Sequence, residues 1–191
     1  MAKGKKNFIR LGAHLIFVDE SGFMLTPHVR KTWAPVGHTP IIRHRFRNDR
    51  ISVIAGITVS CARYRLGLIG AFSVHNIRQV QVEQFLLQTL RHFRGHLIVI
   101  LDNSPIHRGT LINELCERFS RLHLEYFPAY APEINPQEGV WAITKGRLAN
   151  SKPDDIDDLE NEVTAQLRSI ARSHRILRGC IQHSELPLFL L

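Results

Sequence analysis

Cysteines and long apolar runs are both scarce in this sequence, and each shortage excludes a class of protein. The chain has 191 residues and three cysteines, with no Cys-x-x-Cys spacing. This pattern disfavours a disulfide framework and a thiolate zinc site, and it is typical of the reducing cytoplasm. No run approaches the roughly 20 apolar residues that a membrane-spanning helix needs, so we expect no membrane partner.

Acidic residues are scarce in the first third of the chain, where a basic excess is left uncompensated. Residues 1–65 hold 12 lysines and arginines against 3 acidic residues, whereas residues 66–191 hold 13 against 14. The basic residues are densest at Arg43, Arg45, Arg47 and Arg50. This distribution favours a phosphate backbone as the partner, and a solvated basic surface is the alternative.

Short apolar runs alternate with amphipathic segments along the chain. The apolar runs are partly β-branched and bounded by polar or turn residues, which predicts buried strands. The predicted strands are 15–18, 51–59, 66–72, 97–101 and 122–127. Helical spacing of apolar residues predicts helices at 80–92, 110–119, 136–148 and 155–174. The order predicts an α/β fold, a mixed five-stranded sheet flanked by helices on both faces.

One domain accounts for most of the chain. Residues 1–13 are predicted to form a basic tail, residues 14–179 the domain, and residues 180–191 an apolar tail. Within the domain, residues 24–50 show no strand or helix pattern over most of their length. A loop of that length is unusual in a compact domain, so we expect it to have a function.

Three carboxylates occur at the ends of predicted elements. Asp19 and Asp102 each directly follow an apolar run, and Glu138 lies in the first turn of a helix that Asn135 and Pro136 are suited to begin. Each acid alone has an ordinary explanation, as a turn residue or as a first-turn acid that complements the helix dipole. Together, three carboxylates on separate elements of one small domain indicate a site for divalent metal ions and phosphates.

Four sequence segments form a pattern, and three of them contain these acids. They are 18–23 (VDESGF), 33–40 (WAPVGHTP), 99–107 (VILDNSPIH) and 127–141 (FPAYAPEINPQEGVW). In this order, and with 35 residues between Asp102 and Glu138, they resemble the catalytic (DDE) domain of bacterial insertion-sequence transposases of the mariner superfamily, a group of DDE superfamily endonucleases. The resemblance covers about residues 15–146 and extends more weakly to 179.

The resemblance implies a ribonuclease H-like fold and a metal-dependent enzyme of DNA transposition. In the family three acids bind the metals, and the matching residues here are Asp19, Asp102 and Glu138, in preference to their neighbours Glu20 and Glu133. Two Mg²⁺ ions are the implied cofactors, with Mn²⁺ as a substitute. The implied reactions are DNA strand cleavage and strand transfer. The implied partners are transposon ends, target DNA and a second copy of the chain in a homodimer.

Further residues are candidates for contact with DNA. Relatives use the region of the long loop for dimer and DNA contacts, and the matching candidates are Trp33, Arg43, Arg45 and Arg47. A buried position for the tryptophan is an equal alternative. Asn103 and His107 match an Asp-Asn-x-x-x-His pattern of the family. They are expected to orient Asp102, to touch DNA or to cap the following helix.

Family members usually carry a helix-turn-helix region ahead of the catalytic domain, and no helix pair precedes the first predicted strand here. Two explanations are open. The chain is the second product of a two-frame element, active after frameshifting or with a separately encoded DNA-binding product, or it is the remnant of a decayed copy. In both cases we expect that the chain alone does not select transposon ends. An inactive or partner-dependent fragment that binds DNA or dimerises is one alternative. A general nuclease of the ribonuclease H type is the other.

Overall fold

The computed structural model describes residues 8–26, 29–41, 49–61, 65–129 and 131–186. The strands are β1 (His14–Met24), β2 (Arg50–Ser60), β3 (Leu66–Ser73), β4 (Leu97–Leu101) and β5 (Leu122–Tyr126). After β1 the helices are α1 (Gln79–His92), α2 (Thr110–Arg118), α3 (Pro136–Arg147), α4 (Ile156–Ala171) and α5 (His174–His183). Residues 8–11, within the predicted basic tail, are also helical, and Phe8 is buried in the core. Single 3₁₀ turns follow β4 and β5, at Pro105–His107 and Pro132–Ile134. No helix in the described part of the chain is long and apolar enough to cross a membrane.

The five strands form one mixed sheet in the order β3-β2-β1-β4-β5. β1 pairs antiparallel with β2 and parallel with β4, so it lies at the centre of the sheet. Phe17 on β1 lies opposite Ile100 on β4. The carboxyl end of β4 therefore lies beside the middle of β1, and Asp19 and Asp102 come together on strands about 4.8 Å apart.

Alternate residues of β1 face opposite sides of the sheet, and each side has its own core. Phe17 belongs to a cluster with residues of α3, α4 and α5, among them Trp141 and Val163. Val18 belongs to a second cluster with residues of α1 and α2, among them Phe85. Helices thus cover both faces of the sheet, as the sequence predicts.

The start of α3 is set by the local sequence and places one of the predicted acids. Asn135 Oδ1 accepts a hydrogen bond of 3.1 Å from the backbone N–H of Gln137, and Pro136 occupies the first turn. Both features are favourable at a helix start. Glu138 follows in that first turn, at the amino end of the helix.

The last part of the chain contains one helix more than the sequence predicts. The predicted final helix ends at Ala171 as α4, and Ser173 caps the separate helix α5. The predicted boundary after residue 179 falls inside α5, and Cys180 and Leu186 are buried in the core. The described residues beyond the boundary therefore pack on the domain.

The connection between β1 and β2 is long, as the sequence predicts. Residues 29–41, its described middle part, contain no helix or strand. Trp33 in this segment is fully exposed, at 100%, so the structure excludes the buried alternative for this side chain. Among the other predicted DNA contacts, Arg43, Arg45 and Arg47 lie outside the described residues.

Candidate active site

A cleft of about 360 Å³ opens where β1, β4 and α3 meet. Asp19 on β1, Asp102 just after β4 and Glu138 in the first turn of α3 all line it. The segments after β4 and β5 complete its walls, with residues such as Ser104 and Pro128. The structure thus brings the three predicted acids to one cavity.

Asp19 is partly buried and carries an unusual pKa. Burial, followed by the negative charges of Glu138 and Glu20, raises the pKa of this carboxyl from 3.8 to about 7. A hydrogen bond of 3.0 Å from Trp141 Nε1 to Asp19 Oδ2 acts in the opposite direction, since it stabilises the carboxylate. Negative charge is therefore concentrated at this side of the cleft.

Asp102 is fixed through one of its two carboxylate oxygens. Oδ1 accepts a hydrogen bond of 2.8 Å from the backbone N–H of Ser104 and lies 2.7 Å from Nδ1 of His107. The side chain is half exposed, at 52%. Among the described residues, Oδ2 is therefore the oxygen left for a ligand in the cleft.

His107 lies between two carboxylates and is completely buried. Nδ1 faces Asp102, and Nε2 lies 3.0 Å from Oε1 of Glu20. Burial by itself lowers the pKa of His107, but the hydrogen bond to Glu20 and the charges of Glu20 and Asp102 outweigh it and raise the pKa above its ordinary value. The prediction that His107 touches DNA is wrong, because its side chain exposes 0% of its surface. The structure favours the alternative that His107 orients Asp102.

Asn103 is tied to the protein at both ends of its amide. Its Nδ2 donates a hydrogen bond of 2.6 Å to the backbone carbonyl of Phe127, and its Oδ1 accepts one from Arg108. Arg108 in turn stacks over the ring of Tyr126, 4.2 Å from its centroid. Asn103 therefore braces the loop after β4, while its exposed position on the cleft wall leaves it accessible to DNA.

Glu20, Tyr126 and Arg108 support the site although the sequence did not single them out as functional residues. Tyr126 donates a hydrogen bond of 3.0 Å from its hydroxyl to the backbone carbonyl of His107. For Glu20, the sequence offered one signal, its position next to the predicted acid Asp19. For the other two no local pattern marked the role.

A divalent cation fits the donor set of the cleft. Within the described residues, no group of three metal-ligating side chains is preformed. Mg²⁺ does not need one, because it keeps several waters and is bound through one or two carboxylates and substrate phosphates. The observation in favour is the raised pKa of Asp19, which is due first to burial and then to repulsion from Glu138 and Glu20. A bound cation would relieve the repulsion.

A second cavity, which we call the basic groove, has a volume of about 460 Å³. Its arginines are Arg50 at the start of β2 and Arg78 before α1, and His75 lies beside them. Val74, Asn76 and Gln81 complete its lining, so that none of the six is acidic. The first turn of α1 also carries no acid. The basic groove therefore suits an anion.

Comparison with known families and structures gives one clear family and one fold. Residues 14–160 match the DDE superfamily endonuclease family. A pre-cleavage Mos1 transpososome superimposes with a TM-score of 0.60 at 13% identity, covering 97% of this chain and 60% of that chain. The catalytic domain of Mos1 mariner transposase gives 0.55 at 12% identity, covering 95% and 86% respectively.

A structure of a different kind of complex is also similar. A simian T-cell lymphotropic virus intasome, in complex with PP2A regulatory subunit B56 gamma, gives a TM-score of 0.55 at 12% identity, covering 94% of this chain and 56% of that chain. No curated protein sequence matches the chain. At identities this low, the superpositions show a shared fold and no more. That fold confirms the predicted ribonuclease H-like sheet with helices on both faces. The chain spans about three fifths of the length of the Mos1 transpososome chain.

Proposed function

This chain belongs to the DDE superfamily endonuclease family, as its motifs indicated, and from that premise we propose that it cleaves DNA strands and transfers them to a target in a metal-dependent transposition reaction. The observation that carries the proposal is the convergence of Asp19, Asp102 and Glu138 on one cleft. These three acids are the proposed catalytic and metal-binding residues.

The chemistry follows from the requirements of phosphodiester transfer. Two divalent ions, Mg²⁺ or Mn²⁺, would supply Lewis acidity at the attacking and leaving oxygens. Asp102 presents Oδ2, and a cation in the cleft would relieve the repulsion of Asp19 by Glu138 and Glu20. In the first step a water oxygen bonds to phosphorus, and the bond to the 3′ oxygen breaks to give a free 3′-OH. In the second step the oxygen of that 3′-OH bonds to a target phosphorus as its proton is released, and the bond from that phosphorus to the target's own 3′ oxygen breaks to leave a target 3′-OH. Only the nucleophile changes between the two steps.

The proposed partners are transposon ends, target DNA and a second copy of this chain. A strand transfer complex and a paired-end complex of Mos1 share this fold. On this chain we assign DNA contact to exposed Trp33, to Asn103 at the cleft and to the basic groove, in addition to the loop arginines. We also propose a cytoplasmic location. All three cysteines are free thiols, which is typical of a reducing compartment.

Nicking of supercoiled plasmid tests the proposal. We expect the purified chain to nick DNA with Mg²⁺ or Mn²⁺ and to stop when EDTA is added. Asp102→Ala should lower the rate by more than about 100-fold, beyond the range for residues that only support a metal ligand. Asp154→Ala is the matched control, because Asp154 is an exposed acid before α4. Equal nicking by wild type and Asp102→Ala would refute the assignment.

A strand-joining assay separates transposition from general nuclease activity. The substrate is a labelled duplex with a free 3′-OH at a transposon end, mixed with a plasmid target. A transposase joins the labelled strand to the plasmid. A general ribonuclease H-type nuclease only cuts the labelled duplex and the plasmid. Joined product that depends on Asp102 supports the proposed function.

A further inference from the structure

Two carboxylates and an imidazole form a continuous line behind the cleft. Glu20 Oε1 lies 3.0 Å from His107 Nε2. His107 Nδ1 lies 2.7 Å from Asp102 Oδ1 and 3.2 Å from the backbone carbonyl oxygen of the same residue. We propose that Glu20 and His107 are positioning residues that fix the carboxylate of Asp102, so that Oδ2 is presented to a divalent cation in the cleft. This inference rests on the proposed role of Asp102 as a metal ligand.

The adjacent acids Asp19 and Glu20 of β1 face opposite sides of the sheet. Asp19 receives its hydrogen bond from Trp141, on the side of the sheet covered by α3. Glu20 points to the other side, where its register partner Ile54 packs in the second cluster. One acid therefore lines the cleft, and the next reaches His107 behind it.

His107 is held from three directions. Nε2 faces the carboxylate of Glu20, and Nδ1 faces both the carboxylate and the backbone carbonyl of Asp102. The backbone carbonyl of His107 accepts the hydrogen bond from Tyr126. The backbone carbonyl of the next residue, Arg108, accepts a further hydrogen bond of 3.3 Å from Gln79 Nε2. The side chain is fully buried, and the contacts of both ring nitrogens keep Nδ1 aimed at Asp102.

Asp102 needs such a partner. Its side chain is half exposed, and the terminal torsion of an aspartate is broad and roughly two-fold. Without His107, the hydrogen bond from the backbone N–H of Ser104 would hold Oδ1 from one side only. A second contact from a rigid imidazole restricts the torsion, in the way that outer-shell partners orient metal ligands in other sites.

The test compares Glu20→Ala with Glu20→Gln. Both variants remove one negative charge, but glutamine keeps an oxygen that can accept from His107 Nε2. Mn²⁺ binding to the metal-free chain is measured by titration calorimetry, and nicking is measured against Mg²⁺ concentration. We expect Glu20→Ala to weaken Mn²⁺ binding by about 10–100-fold and to raise the half-saturating Mg²⁺ by a similar factor. Glu20→Gln should stay within about threefold of wild type.

Controls separate geometry, charge and folding. Glu133→Ala removes an exposed acid from the turn before α3 and should leave Mn²⁺ binding unchanged. Thermal unfolding of each variant shows whether the fold is intact, and His107→Gln, which keeps a polar side chain, repeats the measurement from the other partner. Equal weakening by Glu20→Ala and Glu20→Gln overturns the proposal, because charge alone would explain it.

The Asp102→Ala variant distinguishes the two levels of inference. If Asp102→Ala abolishes nicking and Mn²⁺ binding while Glu20→Ala matches wild type, the positioning proposal fails and the proposed function stands. If Asp102→Ala leaves both unchanged, the proposed function fails and takes this inference with it.

Discussion

The indole of Trp141 connects α3 to the central strand through one hydrogen bond, 3.0 Å from Nε1 to Asp19 Oδ2. Trp141 stands one turn after Glu138 on the same helix, and its ring packs at the edge of Phe23, with 6.0 Å between centroids. The same side chain therefore anchors the helix in the core and fixes the distance between two acids of the cleft.

Trp141→Phe should separate these two contributions. Phenylalanine keeps most of the apolar packing but cannot donate to Asp19. We expect a decrease of about 1–2 kcal/mol in unfolding free energy, since the missing hydrogen bond has a charged acceptor, and nicking slower by about tenfold. Thermal unfolding and plasmid nicking measure the two effects. Trp33→Phe is the control for stability, because Trp33 is fully exposed; an equal decrease in both variants would contradict the prediction.

Asp19→Asn should stabilise the metal-free protein at high pH. The folded chain raises the pKa of Asp19 from 3.8 to about 7, so its charged form is favoured in the unfolded state. Wild-type stability contributed by this group is complete below about pH 4 and is lost as the pH rises through 7. Asparagine removes that dependence. The difference in melting temperature, variant minus wild type, should grow by about 2–6 °C between pH 4.5 and pH 8.

The measurement needs EDTA, because a bound cation would hide the repulsion. Glu133→Gln provides the control for removal of one exposed acid and should run parallel to wild type across the pH range. Parallel curves for Asp19→Asn and wild type would show that burial and the neighbouring acids do not raise the pKa of Asp19.

Sequence reasoning found the three acids because each follows a strong local signal. Asp19 and Asp102 end apolar runs, and Glu138 follows a helix start that Asn135 marks. For His107 the sequence left three roles open, which were to orient Asp102, to touch DNA or to cap the following helix. The contact of this histidine with Glu20 joins residues 87 positions apart, and a local pattern does not tell whether a histidine after a strand points into the core or toward solvent.

The secondary structure also divides into features with a local sequence signal and features that depend on the folded chain. The order of strands and helices was predictable because apolar periodicity is local. The separation of α4 from α5 was missed, although Ser173 is a favourable cap and Leu177 and Ile181 continue the apolar spacing. The exposure of Trp33 was undecided, since it depends on how the long loop lies.

Gly56 is required by the close approach of β2 to β1. A Cβ there would lie 2.8 Å from Cγ2 of Ile16, 3.0 Å from Cγ2 of Val18 and 3.1 Å from the carbonyl oxygen of Phe17. Gly56→Ala should therefore cost about 1–3 kcal/mol in unfolding free energy through overpacking. Gly22→Ala on β1 is the matched control, because its Cβ would meet nothing within 4 Å. A stability of Gly56→Ala equal to that of Gly22→Ala would contradict the packing.

The basic groove should contribute to DNA affinity without sequence preference. Arg50 and Arg78 line it together, and no acid among the described lining residues competes for them. Removing one arginine that neutralises a phosphate should reduce the slope of log K against log salt by about 0.9. Arg78→Ala should therefore show a slope smaller by about one, with affinity lowered about equally for any duplex.

Fluorescence anisotropy with a labelled 20-base-pair duplex between 50 and 200 mM NaCl measures this slope. Arg94→Ala is the charge-matched control, because Arg94 is exposed in the turn between α1 and β4. Since β4 enters the sheet at the end opposite to Asp102, that turn lies away from the cleft, and Arg94→Ala should keep the wild-type slope. Equal slopes for Arg78→Ala and wild type would show that the groove binds no phosphate. Equal reductions in both arginine variants would show that only net charge matters, because a diffuse field makes no distinction between the two positions.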